Sequence, residues 1–127
     1  MSTELSVIIP AYNECSRLPP YIAECVAYLD RAFPNRYEIL VVDDGSQDGT
    51  ADALCSQWNH SFVRVLRHQS NRGKGAAVRT GMLGAIGAAL LFADADGATP
   101  IGEMQRLLAA IQAGADILLL DNFSLKD

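Results

Sequence analysis

Tyr37-Glu38-Ile39-Leu40-Val41-Val42-Asp43-Asp44-Gly45-Ser46 is the stretch that decides the fold. A run from Tyr37 to Val42, apolar but for Glu38, breaks off abruptly in two carboxylates, a glycine and a serine. Such a run suits a strand covered on both faces, and burial on both faces is the habit of parallel sheets packed between helices. Upstream, Leu5 to Ile9 is a second short apolar run, stopped by Pro10 and followed by a polar loop, Ala11 to Arg17. Between the two runs Ile22, Val26, Leu29 and Phe33 recur at helical spacing, with Pro19 and Pro20 placed for a helix start and Pro34 for its stop.

Downstream the alternation continues. Asp48-Gly49-Thr50 supplies capping chemistry for a helix through Trp58, and the sequence leaves open which residue is the cap. Phe62 to Leu66 reads as a third strand, Asn71-Arg72-Gly73-Lys74-Gly75 as a glycine-rich turn, and Ala76 to Ala88 as a small-residue helix. Ala89 to Ala93 is a fourth strand entering Asp94-Ala95-Asp96-Gly97. Thr99 and Pro100 suit the N-cap and first position of a helix reaching Ala113, Gly114 stops it, and Asp116 to Leu120 makes a fifth strand. Strands and helices in this alternation predict an α/β fold: a Rossmann-like, mostly parallel sheet with right-handed crossovers and helices on both faces. A chain of 127 residues, half of them hydrophobic, has the size of one globular domain, and residues 1–127 are read as that domain.

Ten basic against 15 acidic residues leave a net charge of -5, which gives little support to a nucleic-acid partner. An acidic chain that handles phosphates needs a cation or local backbone donors. Cys15, Cys25 and Cys55 show neither disulfide-framework nor zinc spacing, so reduced thiols partly in the core are expected. Met1-Ser2-Thr3-Glu4 runs into a strand without the marks of a secretory signal, and a cytoplasmic location follows as the expectation. The longest apolar stretch, Met82 to Ala93, is far shorter than the roughly 20 residues of a membrane helix, so any lipid contact is expected to be peripheral or made by a part not present in these residues.

In open parallel sheets ligands bind outside the carboxyl ends of the strands, where this sequence gathers its unusual residues. Asp94 and Asp96, at a strand-to-turn junction, offer hard oxygens suited to Mg²⁺ or Mn²⁺, and a divalent ion there would bridge a diphosphate. An EF-hand competes poorly, because the twelfth position from Asp94 is Gln105 and not glutamate. Lys74, in a glycine-flanked turn at a helix start, and Arg72 can reach phosphate oxygens. The turn is neither a P-loop nor a dinucleotide fingerprint. Asp43 and Asp44 can accept hydrogen bonds from base or ribose, and Tyr12 can flank the base. His60 and His68 are read as surface or loop residues without a role.

Four segments carry a resemblance. Val7 to Glu14 with its Pro-x-Tyr-Asn-Glu ending, Val42 to Thr50 as Val-Asp-Asp-Gly-Ser-x-Asp-Gly-Thr, Asn71 to Gly75 as Asn-x-Gly-Lys-Gly, and Asp94 to Asp96 as Asp-x-Asp occur in order. The chain resembles the inverting, GT-A-fold glycosyltransferases of family 2 over residues 5 to about 118. The resemblance implies that Pro10, Ala11, Tyr12, Glu14 and Asp44 hold the nucleoside, that Lys74 lies near the donor, and that Asp94 and Asp96 address metal and diphosphate. Asp94 to Pro100 looks most like the dolichyl-phosphate glucosyltransferase branch, with mannosyl-phosphate synthases close behind. That implies a nucleotide-diphosphate sugar donor, UDP-glucose ahead of GDP-mannose, and a polyprenyl phosphate acceptor that is already ionised and needs no general base.

Two departures stand out. The mannosyl-phosphate branch often has glutamine two residues after its second aspartate, where this chain has Ala98. The family's fifth strand commonly leads into Gly-Ser-Arg and an acceptor half, whereas Leu120 leads here into Asp121-Asn122-Phe123, so a fold truncated on its C-terminal side is expected. A non-catalytic nucleotide-sugar-binding module is therefore the alternative. An exposed sheet edge on the truncated side predicts self-association, most simply a homodimer. A sugar-nucleotide pyrophosphorylase or a nicotinamide oxidoreductase would need a different loop after the first strand than Pro10 to Glu14.

Overall fold

Burial on both faces is what the two central strands show. The computed structural model describes residues 3–58, 62–94, 105, 106, 109 and 117–119. Within them the chain runs β1 (Leu5–Ala11), α1 (Leu18–Ala32), β2 (Tyr37–Asp43), α2 (Thr50–Gln57), β3 (Val63–Arg67), α3 (Lys74–Gly84), β4 (Ala89–Phe92) and β5 (Ile117–Leu119). Every residue of β1 and β2 is buried. The strands form one sheet in the order β3-β2-β1-β4-β5, and all pairs are parallel. Residues 105, 106 and 109 are helical, and the rest of the expected Thr99–Ala113 helix lies outside the described residues.

Alternating side chains along the strands serve the two faces. Val7, Ile9, Ile39 and Val41 meet Ile22, Cys25 and Leu29 of α1 and Leu54 of α2. Ile8, Leu40 and Phe92 meet Val78 of α3 on the other face. The expected layering is thus found. Along α3 close approach to the sheet is bought with small residues: a Cβ on Gly81 would run into Ile8 Cγ2, and one on Gly84 would come within 2.9 Å of Leu66 Cδ1.

Several boundaries differ from expectation. Pro10 does not stop β1, which continues to Ala11 in register with Asp43. Ile8 O accepts from Ala93 N just after β4 and Ala11 O from Asp44 N just after β2, so alternation turns Pro10's missing N–H toward β4, whose pairing with β1 ends at Ile8↔Phe92. β3 is shifted one residue, ending at Arg67 opposite Asp43.

The third helix starts at Lys74 and stops at Gly84, short of the expected Ala88. Side chains capture the backbone there: Ile86 N donates to Glu38 Oε2 at 2.8 Å, Gly87 N to Ser6 Oγ at 2.8 Å, and Arg64 Nη2 to Gly84 O at 2.7 Å. Ser6 Oγ itself donates to Glu38, and Arg64 makes two bonds to that carboxylate. This buried polar cluster fixes the turn into β4 beneath the amino ends of the strands.

Candidate functional site

β1 leads through α1 to β2 and through α2 to β3 on one side of the sheet, and α3 then carries the chain across to β4 on the other side of β1. The order therefore reverses between β1 and β4, and a crevice opens at the carboxyl ends of such neighbours. A cavity of about 370 Å³ lies there, lined by Pro10, Ala11, Tyr12, Glu14, Asp44, Asn71, Gly73, Lys74, Ala77 and Asp94.

Two loops that frame the cavity are stitched together by side chains. Asn13 N donates to Ser46 Oγ at 2.8 Å, Glu14 N to Thr50 Oγ1 at 3.0 Å, Cys15 N to Asp48 Oδ2 at 3.2 Å, and Gln47 N to Asn13 Oδ1 at 3.0 Å. Asn13 adopts a positive φ of 54°, which asparagine tolerates better than most residues. Gly49 at a φ of 85° caps α2 without a side-chain bond, while Asp48 accepts from Thr50 N and Thr50 Oγ1. These bonds hold the Asp48 carboxyl below its ordinary range, the Thr50 hydroxyl being the largest cause.

Asp44 ties in a third loop. Its Oδ1 accepts from Arg72 N at 2.9 Å and meets His68 Nδ1 at 2.7 Å, and its Oδ2 accepts from Gly73 N at 2.9 Å. The 70–73 turn lies directly over Gly45, whose missing Cβ would be 2.6 Å from Asn71 N. Gly73 precedes α3 at a φ of 100°. Across the cavity Lys74 Nζ contacts Asp94 Oδ1 at 3.0 Å. On α1, burial pushes the Tyr21 hydroxyl far above its ordinary range, with Cys25 and then the Asp94 charge adding to it. Burial likewise pushes the Cys25 thiol up to about 12.

Pro10, Ala11, Tyr12, Glu14, Asp44, Lys74 and Asp94, singled out from sequence, are thus brought to one cavity. Asp43 is not among its lining: it is fully buried, accepts from Ser46 N at 3.1 Å and has Arg67 Nε 3.8 Å from its other oxygen. Arg72 is exposed and contributes its backbone N–H to Asp44. Asp96, Ala98 and His60 lie outside the described residues. His68 lies in the loop after β3, as one half of the reading had it, but the surface half needs correction. It is 8% exposed, and its ring spans from Asp44 to Thr80 Oγ1 at 2.8 Å. Because Asp43 pairs with Arg67, the parallel register alone sets His68 beside Asp44. The cysteines are free, with Cys25 buried, as expected.

The sequence matches the family described as Glycosyl transferase family 2 over residues 6–124. A dolichyl-phosphate beta-glucosyltransferase of Drosophila melanogaster is 52% identical over 118 residues, which are 87% of this chain and 36% of that protein. The chain thus spans about a third of the length of the curated relatives it matches. Among solved structures, Staphylococcus aureus TarS 1-349 superposes with a TM-score of 0.71 at 26% identity, covering 87% of this chain and 33% of that one. The Pyrobaculum calidifontis mannosyltransferase PcManGT, in complex with GDP-Man and Mn²⁺, gives 0.66 at 26% identity, covering 79% and 29%. Fold, motif order and sequence similarity agree on the GT-A glycosyltransferases, and the chain belongs to glycosyl transferase family 2.

Proposed function

We propose that this chain is the donor-binding part of an inverting glycosyltransferase that moves a hexose from a nucleotide-diphosphate sugar, UDP-glucose ahead of GDP-mannose, to a polyprenyl phosphate. The observation that carries the reading is the single cavity at the strand-order reversal, where the loops after β1 and β2, the start of α3 and Asp94 meet. The name of the Drosophila relative and the GDP-Man bound to PcManGT support the donor and acceptor classes.

In this reading Tyr12, 44% exposed, flanks the base, Pro10 and Ala11 line its seat, and Asp44 accepts from the base. Glu14, held by Arg17 at 2.7 Å, borders the nucleoside. Asp43 supports the turn that presents Asp44. Asp94 and Asp96 would hold a divalent cation, Mg²⁺ or Mn²⁺, for the diphosphate, in keeping with the Mn²⁺ of the mannosyltransferase complex. Hard carboxylate oxygen at Asp94 fits such an ion. Among the described residues no group of three or more ligating side chains surrounds it, so phosphate oxygens, Asp96 and water would complete the shell. A bound cation would stabilise the charge that develops on the departing phosphate. Lys74, beside Asp94, adds positive charge at the same place.

The acceptor phosphate oxygen attacks the anomeric carbon from the side opposite the nucleoside diphosphate. The new C–O bond forms as the bond to the β-phosphate breaks, its electron pair leaves with the diphosphate, and the configuration inverts. An acceptor already ionised at neutral pH needs no carboxylate to deprotonate it. Peripheral contact with the cytoplasmic membrane face and a homodimer belong to the same proposal. No helix among the described residues is long and apolar enough to cross a membrane. Met82, Leu83 and Ile86 offer exposed apolar surface for either contact. Sedimentation as a monomer at micromolar concentration would remove the dimer.

Calorimetry with UDP and Mn²⁺, followed by an assay of glucose transfer from UDP-glucose to polyprenyl phosphate, tests the function. Metal-dependent binding and transfer are expected. Binding without transfer favours the non-catalytic module, and no binding at all removes the donor site.

A further inference from the structure

We infer that His68 is a positioning residue for nucleobase selection: it occupies one oxygen of Asp44 and leaves that carboxylate a single acceptor position for a base offering one ring N–H. The inference rests on the donor site proposed above. His68 does not line that cavity. It lines a second one of about 300 Å³ with Gly45, Ser46, Arg67 and Gln69, and so acts on a nucleotide only through Asp44.

The argument is a count of acceptor positions. An ionised carboxylate offers about four, two on each oxygen. On Asp44, Oδ1 meets two partners, the His68 ring at 2.7 Å and Arg72 N at 2.9 Å. Gly73 N takes one position on Oδ2 at 2.9 Å, and one remains. An ionised carboxylate only accepts, so Nδ1 of His68 carries a hydrogen and the tautomer is set. Thr80 Oγ1 at 2.8 Å from Nε2 holds the ring from its far side and, with a hydroxyl that both donates and accepts, suits neutral or charged imidazole. Asp44 and His68 side chains are each 6% exposed, so water does not readily replace either partner.

Uracil presents one ring N–H between two carbonyls, whereas guanine presents a ring N–H beside an amino group. A carboxylate with both oxygens open accepts guanine's paired donors. Asp44, with Oδ1 filled, matches the single donor of uracil. His68 thereby tilts the site toward a uridine nucleotide.

Two amide substitutions separate positioning from support of the fold. In His68→Asn the amide nitrogen lies near the place of Nδ1 and keeps the bond to Asp44. In His68→Gln it lies near Nε2 and keeps only Thr80. Calorimetry of UDP and GDP, each with Mn²⁺, on the chain and both variants is expected to leave UDP affinity within about threefold in His68→Asn. In His68→Gln, UDP affinity is expected to fall about tenfold, as loss of a charged hydrogen bond implies. GDP affinity falls less in His68→Gln, so the preference for UDP narrows. Equal losses for both nucleotides, no loss in His68→Gln, or no advantage of Asn over Gln would overturn the inference and leave the donor site standing. Failure of the unsubstituted chain to bind either nucleotide would remove both.

Discussion

At Asp44 two backbone amides and an imidazole surround the carboxylate, whereas Asp94 meets the Lys74 ammonium with its own side chain 17% exposed. A partly exposed ion pair of that kind contributes about 0–1 kcal/mol, so its loss should cost the fold little, in keeping with the ligand role proposed for Asp94. Asp94→Asn is expected to weaken UDP binding with Mn²⁺ by about tenfold, while the melting temperature moves little. Calorimetry and a thermal melt on the same sample check both halves. At this scale the acidic and basic tips were legible because they recur at one end of successive strands, although Asp43, directly after such a run, holds a turn and does not line the cavity. His68 was not, since a lone histidine after a strand carries no signal until the register sets it against Asp44. The paired motif residues also hid their division of labour: Asn13, Ser46, Asp48 and Thr50 spend their polar atoms joining two loops.

Elements were easier to identify than to bound. The apolar runs marked every strand, yet Pro10 proved compatible with β1 because its ring faces a gap in the ladder. Helix α3 ends early because Glu38, Ser6 and Arg64, remote in sequence, take its following backbone, a competition no local pattern displays. Gly81 lies where α3 presses on β1. Replacing it with alanine gains about 1 kcal/mol of helix propensity, but the new methyl overlaps Ile8 and overpacking costs about 1–3 kcal/mol. Gly81→Ala is therefore expected to lower the urea midpoint at unchanged slope. At the start of α2 the lowered Asp48 carboxyl has a pH consequence. A depressed folded value means stabilisation that is present above the unfolded value and lost as pH falls through the folded one. Asp48→Asn is expected to flatten the decline of melting temperature between about pH 5 and about pH 2, and an unchanged decline would contradict that linkage.

Across the whole molecule the two ends of the sheet have different tasks. At the amino ends, Glu38 is 4% exposed and bonded to Ser6, Arg64 and Ile86 N, which fastens β1, β2, β3 and the turn into β4. Arg64→Ala leaves that carboxylate short of its charged partner, and a loss of about 1–3 kcal/mol in chemical denaturation is expected, with nucleotide affinity unchanged. At the carboxyl ends, the reversal of strand order between β1 and β4 opens the cavity that gathers Tyr12, Asp44, Lys74 and Asp94. Layering and the location of the cavity followed from strand alternation, because a parallel sheet opens its crevice where the strand order reverses. The most direct test is the anomalous-scattering position of Mn²⁺ in crystals of the chain grown with UDP. A manganese peak within coordinating distance of Asp94 and the diphosphate, with uracil against Asp44 and Tyr12, is predicted. Metal and nucleotide bound away from this cavity would contradict the account.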